Sequence, residues 1–139
     1  MSGFIIVRDI MSRNVKTVRP DDTALDAVRK MNKFRIGSVI VVNSGRPTGI
    51  ITERNILQSI VEPRYDPANI KAKDIMTTPL ITIDPNTAVD EAAKIRATNT
   101  IKTLPVVDKN KILGIITSSD IVRASPTQIS ILEELLRVR

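Results

Sequence analysis

Three pairs of adjacent carboxylates, Asp21-Asp22, Asp90-Glu91 and Glu133-Glu134, are the first candidates for acid–base chemistry in this 139-residue chain. A general acid and its base must reach one substrate together, and sequence neighbours on a helix or turn do not face each other. The pairs therefore read as helix-capping or solvated residues. A second set is Thr52 with Asn55 and Thr117 with Asp120, each a hydroxyl residue three positions ahead of an amide or carboxylate. On the local pattern alone these are helix caps. The chain has no cysteine and no histidine. That removes thiol nucleophiles, disulfides, iron–sulfur sites, the Ser-His-Asp triad, an imidazole base and zinc held by sulfur or imidazole. A carboxylate-only magnesium or calcium site stays open. Gly37, Gly45 and Gly49 lack the Lys-Ser/Thr of a Walker A loop, and no dinucleotide fingerprint occurs. The expectation is a protein that is not an enzyme and has no catalytic cofactor or metal.

The elements that position these residues must fit one compact domain or two very small ones. With 42% hydrophobic and 26% charged residues, the composition is that of a folded soluble chain and not a disordered one. No apolar run approaches the roughly 20 residues that span a bilayer. The segment Met1–Val7 is too short and weakly flanked for a signal peptide. A cytoplasmic protein without a membrane partner is expected. The net charge of +6 suggests anionic partners, but the basic residues are scattered and not run together. Phe4, Phe34 and Tyr65 are the whole aromatic set, too few for stacking platforms on single-stranded nucleic acid.

The chain is two copies of one unit. Asp9-Ile10-Met11-Ser12 recurs as Asp74-Ile75-Met76-Thr77, 65 residues later. Gly49-Ile50-Ile51-Thr52 recurs as Gly114-Ile115-Ile116-Thr117 at the same offset, and Thr23-Ala24-Leu25-Asp26 matches Thr87-Ala88-Val89-Asp90. In copy one, 9–12 reads as a helical turn, Val15–Val18 as extended, and Asp21, Asp22 or Thr23 as the cap of a helix to Phe34. Leu25, Val28 and Met31 give that helix its apolar spacing. Val39–Val42 reads as a buried strand, Asn43–Pro47 as a turn, Thr48–Thr52 as a second strand and Glu53–Val61 as a second helix. Copy two repeats the order over Leu80–Ile83, Thr87–Thr98, Leu104–Val107, Ile112–Thr117 and Ser118–Ala124. The fold class is α+β, with two β-α-β-β-α repeats packed through their sheets as a pseudo-twofold module. The boundaries are repeat one at 1–61, a linker at 62–71, repeat two at 72–125 and an amphipathic helix at 126–139. Pro63 and Pro67 discourage regular structure in the linker. The tail carries Ile129, Leu132, Leu135 and Leu136, which pack on their own module or pair with another subunit.

Both copies resemble the CBS domain, named after cystathionine β-synthase, and the tandem is similar to the pair called a Bateman module. Three features carry the resemblance: the Asp-Ile-Met-Ser/Thr opening, the strand Ser38–Asn43 mirrored by Thr103–Asp108, and Gly-Ile-Ile-Thr-x-x-Asn/Asp before the last helix. The resemblance implies a sensor, with clefts for AMP first, or ADP, ATP or S-adenosylmethionine. It implies a homodimer and an effector protein acting in trans. Cleft A would use Ile115, Thr117, Ser118, Ser119 and Asp120 with Ser12, Arg13, Asn14, Val15, Thr17, Ile36, Gly37 and Ser38. Cleft B would use Ile50, Thr52, Arg54 and Asn55 with Thr77, Pro79, Leu80, Ile81, Ile101, Lys102 and Thr103. Many family members carry an aromatic residue where Ile36 and Ile101 stand, so base stacking gives way to apolar sandwiching.

In that family the Thr-x-x-Asp segment holds a ribose, whose adjacent hydroxyls are both donors. A carboxylate such as Asp120 only accepts and can take both, whereas Asn55 has a single acceptor oxygen. Bonds to a charged group are worth about 1.5–3 kcal/mol against about 1 for neutral ones, so cleft A is the stronger site. Arg13, Lys16 and Arg35 are candidates to neutralise phosphate in cleft A, and Arg54 and Lys102 in cleft B. The plainer readings are solvated surface for these cations, caps for Asp120 and Asn55, and core for Ile36, Ile101, Pro79 and Leu80. Nucleic-acid binding is the alternative function, without a recognition-helix motif to support it.

Overall fold

The computed structural model describes residues 5–124. In chain order the elements are α1 (Val7–Ile10), β1 (Thr17–Val18), α2 (Ala24–Phe34), β2 (Ser38–Asn43), β3 (Arg46–Thr52) and α3 (Glu53–Ile56), which runs on as a π-helical turn over Leu57–Val61. A 3-10 turn (Pro67–Asn69) leads to α4 (Ala72–Ile75), α5 (Val89–Asn99), β4 (Leu104–Asp108), β5 (Lys111–Ile116) and α6 (Ser118–Ala124). The class is α+β, as the two-copy pattern implies. The tail helix read at 126–139 lies outside the described residues.

Local chemistry sets most boundaries. Helix α2 starts where Thr23 Oγ1 accepts from Asp26 N at 3.0 Å and Asp26 Oδ2 accepts from Thr23 N at 2.9 Å. This reciprocal box satisfies donors that the first turn leaves free. The helix stops at Arg35, whose φ of 53° is left-handed. Strands β2 and β3 turn through Ser44 and Gly45, with φ of 52° and 82°, and Asn43 pairs with Arg46. Two positive-φ residues between paired strands match the twist of a hairpin. Lys109 and Asn110, with φ of 52° and 64°, repeat the device between β4 and β5. Strand β1 runs parallel to β2, with Thr17 opposite Ile40 and Val18 opposite Val41, and β2 is antiparallel to β3.

The described residues form two compact units: 5–13, 82–108 and 113–124 in the first, and 14–81 with 109–112 in the second. Neither unit is a single copy of the repeat. Each combines the body of one copy with the opening turn of the other. In the first unit, Val7 N donates to Thr87 O at 2.8 Å, and Ser12 bridges Ile115. Val7 and Met11 complete its core with Ile83, Val89, Ala92, Leu104, Val106, Ile116 and Ile121. In the second, Ala72 N donates to Asp22 O at 2.7 Å, and Thr77 bridges Ile50. Ala72 and Ile75 complete a core of Val18, Ala24, Ala27, Met31, Val39, Val41, Ile51 and Ile60. The opening turn is apolar on one face, and in each unit that face is buried.

Three local expectations need correction. No strand forms over Leu80–Ile83; the segment makes one parallel bridge, Ile83 to Val106. In copy one the second rung depends on Ile40 N donating to Lys16 O at 3.2 Å. Pro105 stands in the place of Ile40 and has no N–H to give. The linker is not irregular throughout. Pro67 starts a 3-10 turn capped by Asp66 Oδ1, which accepts from Ala68 N at 2.9 Å, and proline suits a first helical position. The helix expected over Glu53–Val61 changes hydrogen-bond pattern midway, ending with Glu62 N on Leu57 O at 3.0 Å.

Candidate functional site

Each unit presents a similar corner, in which a threonine between a strand and the following helix is bonded to the amide or carboxylate three residues on. In the second unit, Asn55 Oδ1 accepts from Thr52 N at 2.8 Å and from Thr52 Oγ1 at 3.0 Å. Asn55 N donates back to Thr52 Oγ1 at 3.3 Å. Asn55 Nδ2 donates to Thr77 Oγ1 at 3.0 Å, which ties the corner to the opening turn of the other copy. Thr77 is held there by its own backbone, with Thr77 N donating to Ile50 O at 2.8 Å and Ile50 N to Thr77 O at 3.2 Å.

In the first unit, Asp120 Oδ2 accepts from Thr117 N at 2.9 Å and from Thr117 Oγ1 at 3.1 Å. Asp120 Oδ1 accepts from Arg123 Nη2. Asp120 is 3% exposed and is the one buried charged residue among those described. Ser12 N donates to Ile115 O and Ile115 N to Ser12 O, each at 2.9 Å. Ser118 and Ser119 are exposed beside this corner.

The structure therefore joins Ser12 to Ile115, and Thr77 to Ile50 and Asn55, with Thr52 bonded in turn to Asn55. Capping of Thr52 and Thr117 by Asn55 and Asp120 is present. Of the remaining cleft A residues, Arg13 is exposed in the first unit; Asn14, Val15, Thr17, Ile36, Gly37 and Ser38 belong to the second. Ile36 packs against the second core and Gly37 O accepts from Glu53 N at 3.1 Å. Of the remaining cleft B residues, Pro79, Leu80, Ile81 and exposed Arg54 belong to the second unit, and Ile101, Lys102 and Thr103 to the first. Ile101 packs against the first core, and Lys102 O accepts from Arg96 Nε at 3.3 Å.

Among the candidate cations, Lys16 is committed locally. Its Nζ lies 2.9 Å from Asn14 Oδ1 and 3.9 Å from the centroid of the Phe34 ring, a cation–π contact. Arg123 is absent from the residues singled out above, although its spacing of three from Asp120 on a helix is the signal of an ion pair.

Chemically, the two corners are acceptor sites of unequal charge: a buried carboxylate at Asp120 and a neutral amide at Asn55. No group of three or more acidic residues able to hold a metal ion occurs among the described residues. None of the described helices is long and apolar enough to cross a membrane.

Comparison with known proteins places these corners in context. The model of the CBS domain matches twice, at residues 7–62 and 72–127. An uncharacterised protein of Methanopyrus kandleri is 37% identical over 135 residues, covering 96% of this chain and 69% of the relative. A Burkholderia ambifaria protein with CBS domains, assigned provisionally to signal transduction, superposes with a TM-score of 0.79 at 27% identity, covering 86% of this chain and 93% of that one. A hexameric CBS-CP12 protein from bloom-forming cyanobacteria gives 0.77 at 30% identity, covering 88% and 73%.

Proposed function

The chain belongs to the CBS domain family, whose paired members are commonly regulatory or signalling modules, and from that premise we propose that it binds adenine nucleotides. AMP, ADP or ATP is held at the Asp120 and Asn55 corners, and binding signals by shifting the population of conformations. A ligand moves such an equilibrium only by its difference in affinity for the two states. A partner protein acting in trans reads the result.

One observation carries this reading: the recurrence of a strand–Thr-x-x-Asp/Asn corner in both units, each braced by the opening turn of the other copy. A simple cap needs no such bracing and no buried carboxylate. An acceptor-only group in that place suits a pair of vicinal hydroxyls. Self-association belongs to the same proposal. Leu57, Val61 and Tyr65 are each more than half exposed on the second unit, and a homodimer would cover them. The hexameric cyanobacterial relative supports assembly as a property of such chains.

The test is calorimetric titration of AMP into the wild-type protein and the Asp120→Ala variant. Saturable binding that the substitution weakens by about tenfold or more is expected, from the loss of a charged acceptor. Absence of binding by AMP, ADP and ATP overturns the proposal.

A further inference from the structure

The acceptor capacity of Asp120 is almost used up before any ligand arrives. A carboxylate offers about four lone-pair sites. Thr117 N and Thr117 Oγ1 take two on Oδ2, and Arg123 Nη2 takes one on Oδ1. A vicinal diol brings two donors and finds one place. Something must leave, and the two protein partners are not equally free to do so. The Thr117 contacts sit at the start of α6, so breaking them leaves the Thr117 backbone N–H and its hydroxyl without this acceptor. Arg123 has a side chain 67% exposed, whereas that of Asp120 is 4% exposed. The arginine can swing into water, and the aspartate cannot.

Resting on the nucleotide-binding reading above, we infer that Arg123 is the specificity-determining residue of the Asp120 corner: a ribose diol displaces it from the carboxylate, and it passes to the phosphate of the same ligand. A neutral nucleoside breaks the ion pair and offers the guanidinium nothing in return. A nucleoside phosphate replaces one anion with another, and the planar fork of arginine suits phosphate oxygens. The corner thus selects phosphorylated ligands although the buried group that receives the ribose is itself negative. The other copy supplies an internal contrast. The positions matching Asp120 and Arg123 are Asn55 and Gln58, both neutral. No ion pair has to be broken there, so that corner lacks this source of discrimination.

The experiment is titration of AMP and of adenosine into the wild-type protein, Arg123→Gln and Arg123→Lys, with Asp120→Ala marking the component due to this corner. Arg123 is exposed, and an unchanged circular dichroism spectrum and Tm confirm that the variants fold. In the wild type AMP binds at least about tenfold more tightly than adenosine. In Arg123→Gln, adenosine binding tightens, AMP binding weakens, and the ratio falls by about tenfold. Arg123→Lys keeps the charge without the fork and lies between them. An AMP-to-adenosine ratio unchanged by Arg123→Gln overturns the role of Arg123 and leaves nucleotide binding standing. So does AMP binding that ignores Asp120→Ala. If neither ligand binds the wild-type protein, both readings fall.

Discussion

Met11 fills the space that a side chain on Gly114 would need. A Cβ built on Gly114 would stand 2.8 Å from Met11 Sδ and 2.6 Å from the backbone oxygen of Ser12. The other copy repeats the relationship, with Gly49 facing Met76 Sδ at 2.6 Å and Thr77 O at 3.0 Å. The methionine of each opening turn is thus seated on the glycine of the other copy's strand. This accounts for both ends of the repeated pattern, the Met of Asp-Ile-Met and the Gly of Gly-Ile-Ile-Thr. Neither glycine has a positive φ, so close approach and not backbone conformation is the reason for the residue.

Gly114→Ala is accordingly expected to destabilise the protein by about 1–3 kcal/mol, the usual cost of overpacking. Urea denaturation measures it. Gly49→Ala is expected to cost less, because its tightest neighbour is a flexible thioether and the backbone oxygen is farther away. A larger favourable coupling between Gly49→Ala and Met76→Ala than between Gly114→Ala and Met11→Ala would follow, read from double-mutant cycles. Equal costs at the two glycines would contradict this account.

Acid should loosen the start of α2. The backbone N–H of Thr23 donates to the Asp26 carboxylate, as does its hydroxyl group, and together they hold that carboxyl below its ordinary value of 3.8. A carboxyl depressed in the folded state stabilises above its unfolded pKa, and that contribution is lost as pH falls through the folded one. Asp26→Asn should therefore lower Tm at neutral pH, and the gap from wild type should narrow as pH drops below about 4. Asp21, lowered by Lys73 and Lys71, acts in the same direction. Melting curves between neutral pH and pH 2 decide it; a gap that widens in acid would reverse the sign of the argument.

Leu57→Asp tests the assembly part of the proposed function. Leu57 is 59% exposed, so the substitution should leave the fold of each chain intact, as surface changes normally cost under about 0.5 kcal/mol. Sedimentation velocity should show a dimer for the wild type and a monomer for the variant. A wild-type monomer, or a variant that sediments unchanged, removes this surface as the contact.

The elements most legible in the sequence are those whose causes lie within a few residues. The run Asp21–Thr23 announces the start of α2, with the structure selecting Thr23 as the cap, and Ser44-Gly45 announces the hairpin between β2 and β3, because caps and tight turns are local contacts. The Thr52–Asn55 and Thr117–Asp120 pairs are visible for the same reason. Leu80–Ile83 misleads because its apolar run looks like a strand, while the missing donor belongs to Pro105, more than twenty residues away. Arg123 carried a readable signal in its spacing from Asp120. What that spacing could not reveal is that the carboxylate is buried and the guanidinium exposed, which is what gives the pair its consequence.

By itself, then, the sequence determined the duplication, most of the order of helices and strands, the Thr-x-x-Asn/Asp caps and the absence of thiol and imidazole chemistry. All of these follow from residue identity and short-range spacing. Only the tertiary structure decided that each compact unit borrows the opening turn of the other copy, that Ser12 is bonded to Ile115 and Thr77 to Asn55, and that Asp120 lies buried with most of its acceptor sites taken. The two copies carry nearly the same opening turn, so the sequence pattern is satisfied whether a turn packs on its own copy or on the other. Chain path and burial break that tie, and neither is written in the spacing of the residues.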